Sequence, residues 1–207
     1  MINLKRVKIT TILASSMLLA SILNPISSSA HKYYYNYDVD FIPKKQVDGI
    51  SSNVSYTEHA SDYFHYKEKV FHFESAYHQA MEEWNAKTEA YILDHQTYGG
   101  LETVRLKVAP AIPDGYQGFA EFYRNGSLVS VKISDYPKAL SDWNLGVAYV
   151  NPYYLRLADF KTYKAVAVHE IGHVLGLAHE SGTSIMNPDY STQSVQQDDI
   201  NGVNNLY

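Results

Sequence analysis

The segment His169-Glu170-Ile171-Gly172-His173-Val174-Leu175-Gly176-Leu177-Ala178-His179 concentrates the chemistry of this chain. On a helix, His169 and His173 stand one turn apart on the same face, so both imidazoles reach one ion. Glu170 follows the first histidine directly, which puts its carboxylate beside that ion without making it a necessary ligand. Gly176 lets the chain leave the helix, and His179 swings back as a third nitrogen donor. Three neutral imidazoles suit Zn²⁺ and leave a fourth position for water, the arrangement of a catalytic rather than a structural zinc site. Zinc lowers the pKa of such a water to about 7, and a neighbouring glutamate accepts its proton. A buried helix with incidental histidines is the bland alternative, and the spacing disfavours it. A core helix has little use for three histidines at this spacing with a glycine between the last two.

Several elements must position this segment. A helix from about Lys161 to Leu177 carries the first two histidines. Upstream, Val70, Phe73, Tyr77, Ala80 and Trp84 recur at three- and four-residue steps, which predicts a long helix between Asp62 and about Leu93. His65 and His72 fall on its polar face and read as surface histidines rather than a second metal site. Val54-Ser55-Tyr56 reads as a short first strand, and Gly99-Gly100 ends the helical region. Val104, Leu106 and Val108 alternate with polar residues as on a half-buried strand. Gly118–Tyr123 and Leu128–Ile133 flank Asn125-Gly126, a pair suited to a tight hairpin turn. Leu145–Val150 and Tyr154–Leu157 read as two further strands. A third helix is expected from Ser194, where Ser194 and Gln197 have capping-box spacing and Ile200, Val203 and Tyr207 follow on one face.

Composition narrows the setting. The 207 residues contain 45% apolar and 19% charged side chains, which fits one ordinary folded domain with some extra chain. Cysteine is absent, so disulfide scaffolds, thiolate metal sites and cysteine nucleophiles are excluded. The net charge of −5 is uneven: residues 1–30 hold Lys5, Arg6 and Lys8 and no acid, leaving −8 on the remainder. An acidic body argues against nucleic acid or an anionic membrane as partner. The basic start, the apolar stretch Ile9–Leu23 and the small residues Ser28-Ser29-Ala30 form an export signal with a cleavage pattern. That stretch is shorter than the roughly 20 residues that span a bilayer. The expected organisation is a signal peptide over 1–30, a poorly structured lead-in or short pro-segment over 31–50, and one domain over 51–207. The mature protein then works outside the cell, off the membrane.

The histidine segment resembles the extended zinc motif of the metzincin metallopeptidases. Ser184-Ile185-Met186-Asn187-Pro188-Asp189-Tyr190 is similar to the Met-turn of their matrixin branch, and Asp198–Tyr207 resembles the closing helix of matrixin catalytic domains. Ala80–Asn85 and Leu145–Tyr149 fit the first long helix and the edge strand of that family. The resemblance implies an α+β domain with a twisted, mostly parallel five-stranded sheet and an antiparallel edge strand. Two long helices and a small C-terminal subdomain with a third helix complete it. It implies zinc on His169, His173 and His179, with Glu170 as general base. It also implies Met186 packed beneath the metal, Pro188 and Tyr190 walling a substrate pocket, and a peptide pairing with the edge strand near Gly146 and Tyr149.

The departures from the family are informative. The matrixin latency device needs a pro-segment cysteine, and this chain has none. Asp38, Asp40 or Asp48 is a conceivable substitute cap, although an acid in a leader is by default solvated. No structural zinc set is recognisable between residues 110 and 160, and no calcium loop, so Ca²⁺ has no assigned site. Glu180 occupies a position that is serine in many matrixins. The small size and simple signal resemble secreted bacterial matrixin-type proteases. The leading expectation is therefore a monomeric, secreted zinc endopeptidase acting on a protein or peptide substrate. The rivals are an exported zinc-bearing adhesion or recognition protein, and a zinc hydrolase of cell-wall or self peptides.

Overall fold

Aromatic and small residues on one stripe build the first long helix, α1 (Phe73–Lys87), whose buried face is Phe73, Ala76, Tyr77, Ala80, Met81 and Trp84. A computed structural model of the chain describes residues 34–35, 43–47, 51–53, 64–94, 103–109, 115–131, 138–139, 141–189 and 194–207. The signal region, Asp38, Asp40, Asp48, Val54–Tyr56, Gly99-Gly100 and Tyr190 lie outside the described residues.

In chain order, α1 follows β1 (Tyr34–Tyr35), β2 (Pro43–Lys44), β3 (Ser51–Asn53), β4 (Phe64–Tyr66) and β5 (Lys69–Phe71). After it come β6 (Leu93–Asp94), β7 (Val104–Val108), β8 (Gly118–Arg124), β9 (Ser127–Leu128), β10 (Ser130–Val131), β11 (Lys138–Ala139) and β12 (Leu145–Val150). Two helices close the chain, α2 (Phe160–Val174) and α3 (Gln197–Leu206). Among the described residues the main sheet has six strands in the order β6-β3-β7-β12-β8-β9. The run from β6 to β12 is parallel, and β8 and β9 are antiparallel additions. The sixth strand beyond the expected five is the short return arm of the Asn125-Gly126 hairpin. Both turn residues have positive φ, 50° and 81°, as a two-residue primed turn requires.

The helices cover one face of this sheet. Tyr77 on α1 donates its hydroxyl to the carbonyls of Lys107 and Ala148, tying the helix to β7 and β12. The Trp84 indole N–H donates to the Val168 carbonyl of α2 at 2.9 Å. Gly146 on β12 allows α2 to approach closely, since a Cβ there would stand 2.4 Å from a Val174 methyl. No helix among the described residues is long and apolar enough to cross a membrane.

Four expectations are corrected. Residues 64–71 form the hairpin β4-β5, turning at Lys67 with φ 55°, so the first helix starts only at Phe73. His65 is consequently an exposed strand residue and His72 the N-cap of α1, rather than neighbours on one helix face. Tyr154–Leu157 is a 3₁₀ turn, not a strand; Asn151 holds its start by accepting the Tyr153 N–H on its side chain. α3 is capped by Gln196 with Asp199, not by Ser194 with Gln197. Finally, the described part of the lead-in is not loose. β1 pairs with β2 and, in parallel, with β11, while Gln46 bridges to Trp143.

Candidate active site

The site is assembled around the C-terminal half of α2. Asp159 caps the helix by accepting the Thr162 N–H at 2.8 Å, and Tyr163 to Val174 then run almost entirely buried. Gly176, at φ 109°, breaks the helix and sends the chain back toward His179. The donor atoms of His169, His173 and His179 lie within 4.8 Å of one another; the first two residues are buried and the third is exposed. This is the convergence that the spacing predicted.

The imidazoles are oriented by backbone. His169 Nδ1 sits 2.7 Å from the Ile185 carbonyl, and His173 Nδ1 sits 2.7 Å from the Leu177 carbonyl. A carbonyl only accepts, so each Nδ1 carries the proton and each Nε2 keeps its lone pair for the cluster. His169 Nε2 is 3.2 Å from His179 Nε2. Two nitrogens bound at 2.0–2.1 Å to a tetrahedral ion would stand about 3.3 Å apart. Burial, followed by the proximity of His179, pushes the His169 imidazole down to about 3. It is therefore neutral, as a metal ligand must be.

Glu170 is 2% exposed, and its Oε2 has no hydrogen-bond partner. Burial pushes its carboxyl well above the ordinary carboxylate range. A lone buried carboxylate is costly unless a cation lies next to it. The nitrogen-only donor set and this orphaned oxygen both fit a zinc ion held by the three histidines.

Room for Glu170 comes from β8. A Cβ on Gly118 would stand 2.6 Å from Glu170 Oε1 and 2.7 Å from the Tyr149 carbonyl. Gly118→Ala should displace that carboxylate and, with Glu170 as the base expected from the sequence, lower any turnover by at least about tenfold. Zinc content should stay unchanged. Full activity in that variant would show that the close approach is irrelevant.

Met186 is fully buried, and its sulfur would lie 2.4 Å from a Cβ placed on Gly172. Its turn is held by Asp199, which sequence reasoning quoted but gave no role. Asp199 accepts from the Ser184 hydroxyl at 2.5 Å, the Ile185 N–H at 3.0 Å and the Gln196 N–H at 2.8 Å. Ser184 Oγ in turn accepts the Met186 N–H at 2.9 Å. The signal for it was an acid at the third position of a helix, where carboxylates cap backbone donors. Glu180 is buried beside the last histidine and accepts the Ser181 N–H at 2.8 Å.

The substrate residues expected from the edge strand are placed differently. β12 is hydrogen-bonded on both sides, to β7 and to β8, so Gly146 and Tyr149 have no free strand edge. Gly146 packs on Val174, and Tyr149 stacks on Phe119 at 4.4 Å on the other face of the sheet. The edge near the site belongs to β8. Phe122 bonds to the hairpin side, accepting the Val129 N–H and donating to Ser130 Oγ. Strand alternation puts the backbone groups of Gly118 and Ala120 on that same side, where no described strand covers them. Pro188 is exposed beyond the Met186 turn.

This arrangement has a counterpart among known proteins. The family model for the matrixin peptidases matches residues 34–207. The match spans most of the chain and begins at β1, inside the segment that sequence reasoning had set apart as a lead-in. The three converging imidazoles lie within that match, and the chain belongs to the matrixin family of zinc-dependent metallopeptidases.

Proposed function

We propose that the protein is a secreted endopeptidase in which His169, His173 and His179 hold one Zn²⁺ and Glu170 is the general base. The observation that carries this reading is the convergence of the three imidazole nitrogens, on a helix whose buried Glu170 follows His169 and leaves its Oε2 without a partner. Bound there, Zn²⁺ supplies a Lewis acid that polarises the scissile carbonyl and acidifies water. The residues do the rest. Glu170 takes the proton from the attacking water and delivers it to the leaving amine nitrogen. Gly118 and Ala120 offer their backbone groups to an extended substrate, which adds as a strand to β8. Pro188, exposed beyond the Met186 turn, is the described residue placed to wall the side chain that follows the scissile bond. The basic start and the apolar stretch Ile9–Leu23 support export.

Incubation of the purified protein with casein or gelatin, with and without a chelator, tests the reading. Cleavage that a chelator abolishes and zinc restores is the expected result. A zinc-loaded protein that cleaves no peptide would favour the recognition role instead.

A pH effect follows from His169. Its buried imidazole titrates at about 3, whereas the unfolded one takes a proton near 6.5. Between those values the unfolded chain binds the extra proton, so the metal-free fold loses stability as pH falls, by up to about 1.4 kcal/mol per pH unit. Glu170 acts in the opposite sense: its raised carboxyl keeps a proton that the unfolded one releases above pH 4.5, so its contribution fades as pH rises. The two oppose each other between pH 6.5 and 4.5, so urea unfolding of the metal-free protein should show the drop between about pH 4.5 and 3, shallower in His169→Asn. Equal slopes in the two proteins would contradict the assignment.

A further inference from the structure

A helix leaves its last four carbonyls without partners inside the helix. In α2 these belong to Gly172, His173, Val174 and Leu175, and each finds a donor. The turn itself supplies two in the Schellman pattern: Leu177 N–H to Gly172 at 3.0 Å, and Gly176 N–H to His173 at 2.9 Å. The other two come from far away in sequence. The Trp143 indole donates to the Val174 carbonyl at 3.0 Å, and the Tyr207 hydroxyl donates to the Leu175 carbonyl at 3.1 Å.

Trp143 and Tyr207 are both fastened by the same three residues of the lead-in. Trp143 N–H donates to the Lys45 carbonyl at 3.1 Å, and Val47 N–H donates back to the Trp143 carbonyl at 3.0 Å. Gln46 N–H donates to the Tyr207 hydroxyl at 3.2 Å, so that oxygen is fixed from both sides. Lys45 Nζ donates to the Leu206 carbonyl and lies 5.1 Å above the Tyr207 ring. Lys45 N–H is accepted by Asp142 at 3.0 Å, and Gln46 is 2% exposed. The turn so held contains the Leu177 carbonyl that orients His173, and it leads directly to His179.

We propose that Lys45–Val47 and Tyr207 form a strap that positions the C-terminal turn of α2 for zinc, so that these three lead-in residues are retained in the mature protein rather than lost with a disposable pro-segment. Tyr207 is then a positioning residue, acting on His173 and His179 through the Leu175 carbonyl. The inference rests on the zinc reading of the three histidines, and its readout is metal binding rather than peptide cleavage.

The test compares the secreted wild type with Tyr207→Phe, which removes one oxygen and keeps the ring. Zinc dissociation constants come from chelator competition, and the electronic spectrum of the Co²⁺-loaded protein reports ligand geometry. Tyr207→Phe should weaken zinc by about tenfold, the low end for groups that orient metal ligands, and should shift the cobalt bands. Lys45→Met should weaken zinc in the same direction, by about threefold. The double variant should be no weaker than Tyr207→Phe alone, because both changes break one chain of contacts. The N-terminus of the zinc-loaded secreted form should fall before Lys45.

Zinc affinity within twofold of wild type in Tyr207→Phe, with unchanged cobalt bands, would overturn the proposal. So would additive effects of the two changes, or a zinc-loaded secreted form that begins after Val47. If Tyr207→Phe does not fold, Lys45→Met and the N-terminus still decide. A wild type that binds zinc but cleaves nothing would sink the peptidase reading and leave this test standing; one that binds no zinc would sink both.

Discussion

Glu170→Gln should yield a folded, zinc-loaded protein whose peptidase turnover has fallen by about 10³- to 10⁴-fold, the upper range for loss of a general acid–base group. The amide has nearly the shape of the carboxylate but accepts no proton. Glu170 provides none of the three imidazole nitrogens, so metal content should remain at one ion per chain. The same substitution should stabilise the metal-free protein at neutral pH. A buried carboxyl displaced this far upward costs stability there, and a neutral amide does not. Activity lost and stability gained from one atom-for-atom change is a signature that a structural residue would not give. Wild-type turnover in Glu170→Gln would refute the assignment, and an unstable variant would place Glu170 in the scaffold instead.

Asp199→Ala should cost about 3–5 kcal/mol and lower the melting temperature by roughly 8–15 °C. The residue is fully buried, and three donors depend on it. Removing it leaves the buried Ser184 hydroxyl and Ile185 N–H, and the half-buried Gln196 N–H, without their acceptor. The damage should extend to the metal. The Ile185 carbonyl orients His169, and the Ile185 N–H is one of the three donors. Zinc affinity should therefore fall together with stability. Urea unfolding and chelator competition on the same preparation check both. A loss below about 1 kcal/mol would show that the loop holds itself.

The histidine cluster was legible because its residues are encoded locally. His169 and His173 lie one turn apart, and Gly176 states where the helix must stop. The hairpin at Asn125-Gly126 was legible for the same reason, since its turn chemistry sits in two adjacent residues. The edge of the sheet was not. Leu145–Val150 resembles the edge strand of the family, but whether a strand is flanked depends on the order in which distant segments pair. Nor was the β4-β5 hairpin, whose turn is made by Lys67 rather than a glycine, and whose Val70 continues the helical period by coincidence. The α3 cap was misplaced by two residues because Gln196 is a weak capping type and Ser194 a strong one. Trp143 and Tyr207 act across the fold on backbone atoms, and contacts of that kind leave no spacing to read.

The acceptors that fix His169 and His173 are main-chain carbonyls, of Ile185 and Leu177. Such an acceptor is present whatever side chain stands at its position. Sequence drift at 177 or 185 can alter packing without erasing the group that sets each imidazole's tautomer. What drift cannot tolerate is a change of backbone path, and that vulnerability is concentrated in Gly176 at φ 109°. In relatives that have diverged until little else aligns, the turn glycine and the imidazoles should therefore outlast the residues that orient them, and a functional member should be recognisable from the path of its chain.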